Sequence, residues 1–250
     1  GRNVVCTKIG GTNDISAGQL IDRTGQLLQL PFPSGKHLDA LSKENLGSVE
    51  EPLYRSNQAG SLTAVIPVAL LRKELELNQE ELDRLGAQIV ALTHGEPEAY
   101  LSGAALTHLL CLLLEDPNAP IAELVQQTIN AVGLQFGQGG KLWELLQLAL
   151  TLAVSPNVSP MEAMQTLGCR TAAEVLAGAV YTVSTCGRDF DTAMITAVNH
   201  SGRSSAVGAI SGAMLGAVLG DEALPEFYLE SLEAAPYLTE LADDMAAGFS

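Results

Sequence analysis

From residue 60 onward, apolar residues recur at every third or fourth position, which is the spacing of an α-helix with one buried face. Leucine and isoleucine follow this spacing from 82 to 92, and Asn78 with Glu81 before them has the arrangement of a helix N-cap. Pro97 stands where proline commonly opens a helix. These signals predict a succession of helices separated by short breaks.

The same pattern covers most of the chain. No stretch alternates apolar and polar residues for long enough to predict a strand, and no hairpin dipeptide lies between apolar runs. We therefore expect an all-α fold, a compact single-domain orthogonal bundle of helices. The predicted helices cover residues 61–71, 78–92, 97–113, 121–134, 141–154, 160–167, 171–185, 188–199, 204–219 and 238–247.

The beginning of the chain has a different character. Glycine and serine recur there, two prolines bracket a turn, and the polar stretch 36–51 has no sustained period. One short amphipathic candidate covers residues 16–30. We predict an irregular N-terminal segment at 1–55, followed by a helical domain at 56–250.

Composition narrows the classes of partner. The formal net charge is −16, and no cluster of lysine and arginine is present. A nucleic-acid-binding protein needs a basic face to neutralise phosphates, and an anionic membrane surface makes the same demand. We expect neither a nucleic-acid partner nor a membrane partner.

The four cysteines have no CxxC spacing and no histidine partner at ligand spacing, so a disulfide framework and a zinc site are not indicated. Cys111 lies in an apolar run and is expected to be a buried small hydrophobe. The first residues carry no hydrophobic stretch of the signal-peptide type. A reducing, cytoplasmic location is the expectation.

A glycine stripe near the end of the chain is the most unusual pattern. Gly208, Gly212, Gly216 and Gly220 are four residues apart, which keeps them on one helical face. Each interior glycine costs about 1 kcal/mol relative to alanine. We expect the missing side chains to allow close approach of another helix, with the polar turn at 200–206 at the mouth of a helix-lined cleft.

The stretch 197–220 resembles the C-terminal signature of the ADP-ribosylglycohydrolases, of the kind that includes the dinitrogenase-reductase-activating glycohydrolase. The matching residues are Ala197, Val198, Asn199, Gly202, Ser204, Gly212, Ala213 and Gly220. Segments at 54–70, 93–99 and 179–193 resemble further elements of the family in the family's order. The resemblance implies the family's helical fold and hydrolysis of an ADP-ribosyl glycosidic bond with two Mg²⁺ or Mn²⁺ ions.

The metal-ligating positions depart from the family pattern. Arg203 and Ser205 stand where the family has two aspartates, and Ala206 replaces a threonine. The Asp-Asp motif of the family's N-terminal part is also missing. We therefore expect the segment 1–55 to be incomplete relative to the family. Hard divalent cations prefer anionic oxygen ligands, and an arginine is incompatible with a neighbouring cation. The sequence predicts no metal ligands, no catalytic residues and no cofactor.

The resemblance and the polar turn together predict a set of ligand-binding residues. Two interpretations stay open for Arg203, a solvated helix-start side chain or a guanidinium that fills vacated metal space and binds phosphate or carboxylate. Asn199 and His200 suit ligand contact or helix capping equally, and His94 either caps a helix or lines the cleft. The predicted set is Asn57, Gly60, His94, Asn199, His200, Arg203, Ser204 and Ser205.

These observations favour a catalytically degenerate member of the family that acts as a binding or interaction module. Its expected partner is ADP-ribose, a related nucleotide or a protein. One alternative is an active hydrolase with an unusual or incompletely represented metal site. Another is a structural subunit that associates through an acidic helical face.

Overall fold

The computed structural model of the chain describes residues 19–21, 27–29, 47–137, 139–230 and 232–247. Within those residues, eleven α-helices and two short 3₁₀ helices follow one another, so the all-α class is confirmed. The 3₁₀ helices are Ala59–Val65 and Asp221–Ala223. The α-helices are α1 (Ile66–Leu70), α2 (Gln79–Ala91), α3 (Pro97–Glu115), α4 (Ile121–Phe136), α5 (Lys141–Ala153), α6 (Pro160–Leu167), α7 (Ala172–Cys186), α8 (Phe190–Val198), α9 (Ser204–Leu219), α10 (Glu226–Glu230) and α11 (Ala235–Ala246).

Helix starts follow the local chemistry of the sequence. Asn78 caps α2 through a complete capping box with Glu81, as the sequence predicts. Ser159 and Thr171 begin α6 and α7 with the same reciprocal arrangement. Each box satisfies two backbone N–H donors that a helix terminus would otherwise leave unpaired.

The N-terminal prediction needs one correction. Strand β1 (Gln19–Ile21) pairs antiparallel with strand β2 (Leu27–Gln29), with Leu20 opposite Leu28. Both strands lie within the amphipathic candidate at 16–30 and were not predicted, because three-residue strands are too short for their alternation to be recognised. The rest of residues 1–46 lies outside the described residues, and the boundary at residue 55 stays a prediction.

Helix α3 is the centre of the bundle. Thirteen of its nineteen residues are buried, and α2, α4, α7 and α9 pack around it. Among the described helices it alone is long and apolar enough to cross a bilayer, and 72% of that stretch is buried inside the protein. The core helix of a globular domain has the same composition.

Helices α2 and α3 approach closely at two glycines. A Cβ at Gly86 would lie 2.1 Å from Thr107 Oγ1, and one at Gly103 would lie 2.5 Å from Val90 Cγ2. Thr107 cannot turn away freely, because its hydroxyl donates to the Gly103 carbonyl at 3.0 Å. The close backbone approach that glycine permits therefore occurs here.

The glycine stripe at 208–220 does not show the predicted close approach of another helix along its whole length. Only Gly208 meets a neighbour, with its would-be Cβ 2.9 Å from Val198 Cγ1. At Gly212, Gly216 and Gly220, no described atom lies within 4 Å of an added Cβ, so close helix approach is wrong for these three. Four-residue spacing shows that glycines share a face, but it does not show whether another helix covers that face.

A buried polar pair crosses the same α2–α3 interface. His108 Nδ1 lies 2.7 Å from Asp83 Oδ2, and the Asp83 side chain is 2% exposed. Gln79 Nε2 donates to the other Asp83 oxygen at 2.7 Å. Cys111, one turn further along α3, is fully buried as predicted, and that burial raises the pKa of its thiol to about 11. The interface is thus held by a satisfied polar network within an apolar core.

Candidate functional site

The polar turn between α8 and α9, residues 199–206, is fixed against the loop before α7. A Cβ at Gly202 would lie 2.6 Å from the Cys169 carbonyl oxygen and 2.7 Å from Cys169 Cβ. The Arg203 amide donates to the same carbonyl at 2.7 Å. Only glycine permits this backbone approach, so position 202 holds the turn in place.

Two side chains of the turn cap the end of α8. His200 Nδ1 accepts from the Gly202 amide at 3.1 Å, which leaves the proton on Nε2, 2.9 Å from the Ala197 carbonyl oxygen. Asn199 Nδ2 donates to the Ile195 carbonyl at 2.8 Å. Of the two open interpretations for Asn199 and His200, the structure provides the contacts of helix capping.

Arg203 reaches from the start of α9 to the segment before the first 3₁₀ helix. Its guanidinium Nη2 donates to Gln58 Oε1, while the side chain as a whole remains exposed. Gln58 forms an isolated antiparallel bridge with Thr171, and the Asn57 carbonyl accepts from the Ala172 amide at 2.8 Å. Asn57 therefore contributes to the site through its backbone.

Three helix N-termini meet on the other side of Thr171. The Thr171 hydroxyl donates to Glu98 Oε1, in the first turn of α3, at 2.7 Å. Lys141, the first residue of α5, lies 3.8 Å from Glu98 and 2.9 Å from Glu174 in the first turn of α7. Through Gln58 this cluster connects to the start of α9, so the N-termini of α3, α5, α7 and α9 share one region.

The charges in this region are balanced by pairing. Burial raises the pKa of the Glu174 carboxyl, but hydrogen bonds from Lys141 and from the Thr171 and Arg170 amides outweigh it and lower the pKa overall. The hydrogen bond to Glu174 raises the pKa of Lys141, although partial burial acts in the opposite direction. Both groups stay charged at neutral pH, and the positive ends of the converging helix dipoles favour the carboxylates.

The remaining predicted residues lie at different depths. His94 is 1% exposed, with Nδ1 2.8 Å from Thr93 Oγ1. The backbone after it runs beside the segment that leads to Asn57, because the Gly95 amide donates to the Tyr54 carbonyl at 2.7 Å. Gly60 is exposed in the first 3₁₀ helix. Ser204 is half-buried and Ser205 exposed in the first turn of α9.

Sequence reasoning missed Gln58, Glu98, Lys141 and Thr171. The T-x-x-E pattern of Thr171 and Glu174 marks a helix start and could have been noticed. Nothing in the sequence says that this helix start lies beside those of three other helices, because that proximity depends on the packing of the bundle. Within the described residues, no three side chains of histidine, cysteine, aspartate or glutamate are grouped so that they could hold a metal ion.

Comparisons with known proteins match one family over most of the chain. A family model described as ADP-ribosylglycohydrolase matches residues 11–250. Two curated proteins match over 44 residues, and each is a tRNA N6-adenosine threonylcarbamoyltransferase. The protein from Enterococcus faecalis is 43% identical and the one from Anoxybacillus flavithermus 41% identical over that stretch. The stretch is 18% of this chain, and the chain spans 13% of the length of either relative.

Proposed function

The chain belongs to the ADP-ribosylglycohydrolase family, and from this premise we propose that it binds ADP-ribose or a related nucleotide diphosphate without metal-dependent hydrolysis. The ligand-binding surface is the turn 199–206 together with the neighbouring segment 57–58. The 44-residue similarity to the transferases covers 13% of their length, which is too little to indicate their activity.

The proposal depends mainly on the position and the contact of Arg203. It stands at a position where the resemblance places a metal-ligating aspartate, and its guanidinium reaches across to Gln58. A guanidinium is charged at every accessible pH and offers five N–H donors, so the bond to Gln58 leaves others for a ligand. A fixed positive charge at this point can neutralise the phosphate of a ligand in place of a metal cation.

The donor chemistry of the region does not fit the two divalent cations of the family. The turn offers an amide, an imidazole, a guanidinium and hydroxyl groups, whereas Mg²⁺ prefers oxygen ligands in near-octahedral geometry, usually one or two carboxylates together with water. The carboxylates of Glu98 and Glu174 are engaged by Lys141 and Thr171. Asp189 is engaged as the N-cap of α8, where its Oδ1 accepts from the Thr192 amide at 3.0 Å.

The start of α9 supplies further groups for an anionic ligand. Ser204 and Ser205 are its first two residues, and their backbone amides precede the first hydrogen bond of the helix, from the Ala206 amide to the Arg203 carbonyl. The helix is sixteen residues long, and no acidic residue lies in its first turn. Amides and hydroxyl groups at such a terminus bind phosphate well. Together with Arg203 they favour the diphosphate of the ligand over its sugar or base as the anchored part.

Arg203→Ala tests this proposal. The variant is expected to bind ADP-ribose about 10- to 100-fold more weakly than the wild type, since a hydrogen bond to a charged group contributes about 1.5–3 kcal/mol. Isothermal titration calorimetry in the presence of EDTA measures both affinities. Binding by the wild type in EDTA is part of the expected result.

Arg188→Ala is the matched control. Arg188 is also exposed and hydrogen-bonded, to the Pro117 carbonyl and Asn118 Oδ1 at the opposite end of α7. Its removal is expected to leave the affinity for ADP-ribose unchanged. Equal losses in the two variants, or release of ADP-ribose from a modified protein by the wild type, would contradict the proposal. The second result would favour an active hydrolase with an unusual metal site.

A further inference from the structure

Arg203 carries a positive charge in a part of the chain that has no acidic residue. The chain contains 29 aspartates and glutamates, but none of them lies within residues 192–220. The ion pairs of the neighbouring helix N-termini are made by Lys141, with Glu98 and Glu174. Among the residues that the structure describes, no carboxylate pairs with Arg203. Its charge is therefore uncompensated in a chain with a formal net charge of −16.

The partner of Arg203 is Gln58, and both residues are fixed to the loop that precedes α7. The Arg203 amide donates to the Cys169 carbonyl at 2.7 Å, and Gln58 forms an antiparallel bridge with Thr171. The Gln58 side chain is half-buried and that of Arg203 is exposed, so a ligand can reach their contact from solvent. Because one loop fixes both backbones, the contact between the two side chains is preorganised.

The chemistry of the two side chains fixes the orientation of the Gln58 amide. A guanidinium has donors and no acceptor, so the amide oxygen must face Arg203, as the hydrogen bond from Nη2 to Oε1 shows. The Nε2 group is bonded to the same carbon and therefore lies beside the guanidinium. No acceptor within the described part of the chain is bound to this NH₂ group. Two further donors are thus available next to the positive charge.

We propose that Gln58 is a specificity-determining residue of the ligand site: its neutral amide holds the Arg203 guanidinium without neutralising it, and its NH₂ group donates to the same phosphate. This role rests on the proposed binding of a nucleotide diphosphate. A carboxylate at position 58 would hold the guanidinium more strongly, but it would cancel the charge that attracts the ligand. A neutral acceptor is therefore what an anion-binding arginine requires at this position.

Gln58→Glu and Gln58→Met separate charge from contact. Glutamate keeps an oxygen for the guanidinium but neutralises it, so the affinity for ADP-ribose is expected to fall about 10- to 100-fold. Methionine is similar in length and removes the hydrogen bonds but leaves the charge of Arg203, so a loss of about 3- to 10-fold is expected. If Gln58 only positioned Arg203, the order would be reversed, because a carboxylate holds a guanidinium at least as well as an amide does.

Gln126→Glu is the matched control. The Gln126 amide oxygen accepts from Gln147 Nε2 at 2.8 Å on an exposed part of α4, so this change also adds one negative charge and keeps an acceptor. Its affinity for ADP-ribose is expected to equal that of the wild type. Urea denaturation checks folding, and Gln58→Glu is expected to be as stable as the wild type, because its contact with Arg203 becomes an ion pair.

Isothermal titration calorimetry in EDTA measures all affinities, for ADP-ribose and for sodium pyrophosphate. If Gln58→Glu bound these ligands as tightly as Gln58→Met, or if Gln126→Glu lost as much affinity, the role of Gln58 would be overturned and the proposed function would stand. A wild type that binds pyrophosphate but not ADP-ribose would contradict the proposed function, and the order of the variants toward pyrophosphate would still decide the role of Gln58. A wild type that binds neither would overturn both.

Discussion

Replacing Gly202 by alanine is expected to lower the free energy of unfolding by about 2–3 kcal/mol, within the range for an added group that the structure cannot accommodate. The new Cβ would lie 2.6 Å from the carbonyl oxygen of Cys169 and 3.0 Å from that of Gly168. Both contacts are backbone atoms, so no side chain can move aside to relieve them. The turn must shift, and the Arg203 amide loses its bond to Cys169.

The shift of the turn also moves the guanidinium of Arg203 away from Gln58. We therefore expect Gly202→Ala to lose affinity for ADP-ribose as well as stability. Urea denaturation followed by circular dichroism measures the first effect, and calorimetry at a temperature where the variant is folded measures the second.

Gly212→Ala provides the comparison for this prediction. Gly212 lies inside α9, where no described atom comes within 4 Å of an added Cβ. The alanine variant is expected to gain up to about 1 kcal/mol from its higher helix propensity. If both variants changed stability in the same direction, the close contact between the turn and Cys169 would not be the reason for glycine at 202.

Replacing Asp83 by leucine is expected to lower the free energy of unfolding by about 3–5 kcal/mol, the cost of removing one partner of a buried polar pair. The change leaves His108 Nδ1 and the Gln79 amide without the carboxylate that now accepts from both. The His108 side chain is 8% exposed and cannot reach water easily between α2 and α3, whereas Gln79 is half-buried. Urea denaturation measures the loss.

The double variant Asp83→Leu/His108→Leu separates pairing from packing. Removing both polar partners is expected to recover part of the loss, since an apolar pair leaves no donor unsatisfied. Arg84→Ala, at an exposed neighbouring position on α2, is expected to change stability by less than about 0.5 kcal/mol. A double variant less stable than Asp83→Leu alone would contradict this view of the pair.

Much of the fold follows from local sequence signals. The capping boxes at Asn78 and Ser159 and the proline at 97 set helix starts, and periodic leucines set the buried faces between them. These signals can be recognised in the sequence because each depends only on residues within one or two helical turns of one another. The strands β1 and β2 escaped prediction because three residues give no measurable period.

The candidate site was predictable only in part. The turn 199–206 is recognisable as a polar break before a glycine-rich helix, and the anomaly at Arg203 is visible in the sequence. The partners of that turn are not, because Gln58, Thr171 and Cys169 come from other parts of the chain. The burial of His94 could not be predicted for the same reason, since it depends on segments that pack over it.

The most direct test of the central claim is a calorimetric titration of the wild-type chain with MgCl₂ and MnCl₂, with a metal-dependent member of the family as the positive control. We expect the wild type to give only the heat of dilution for both salts, because the turn 199–206 offers a guanidinium and hydroxyl groups but no carboxylate. Saturable binding in the micromolar range, lost in a variant of the turn 199–206, would contradict the account.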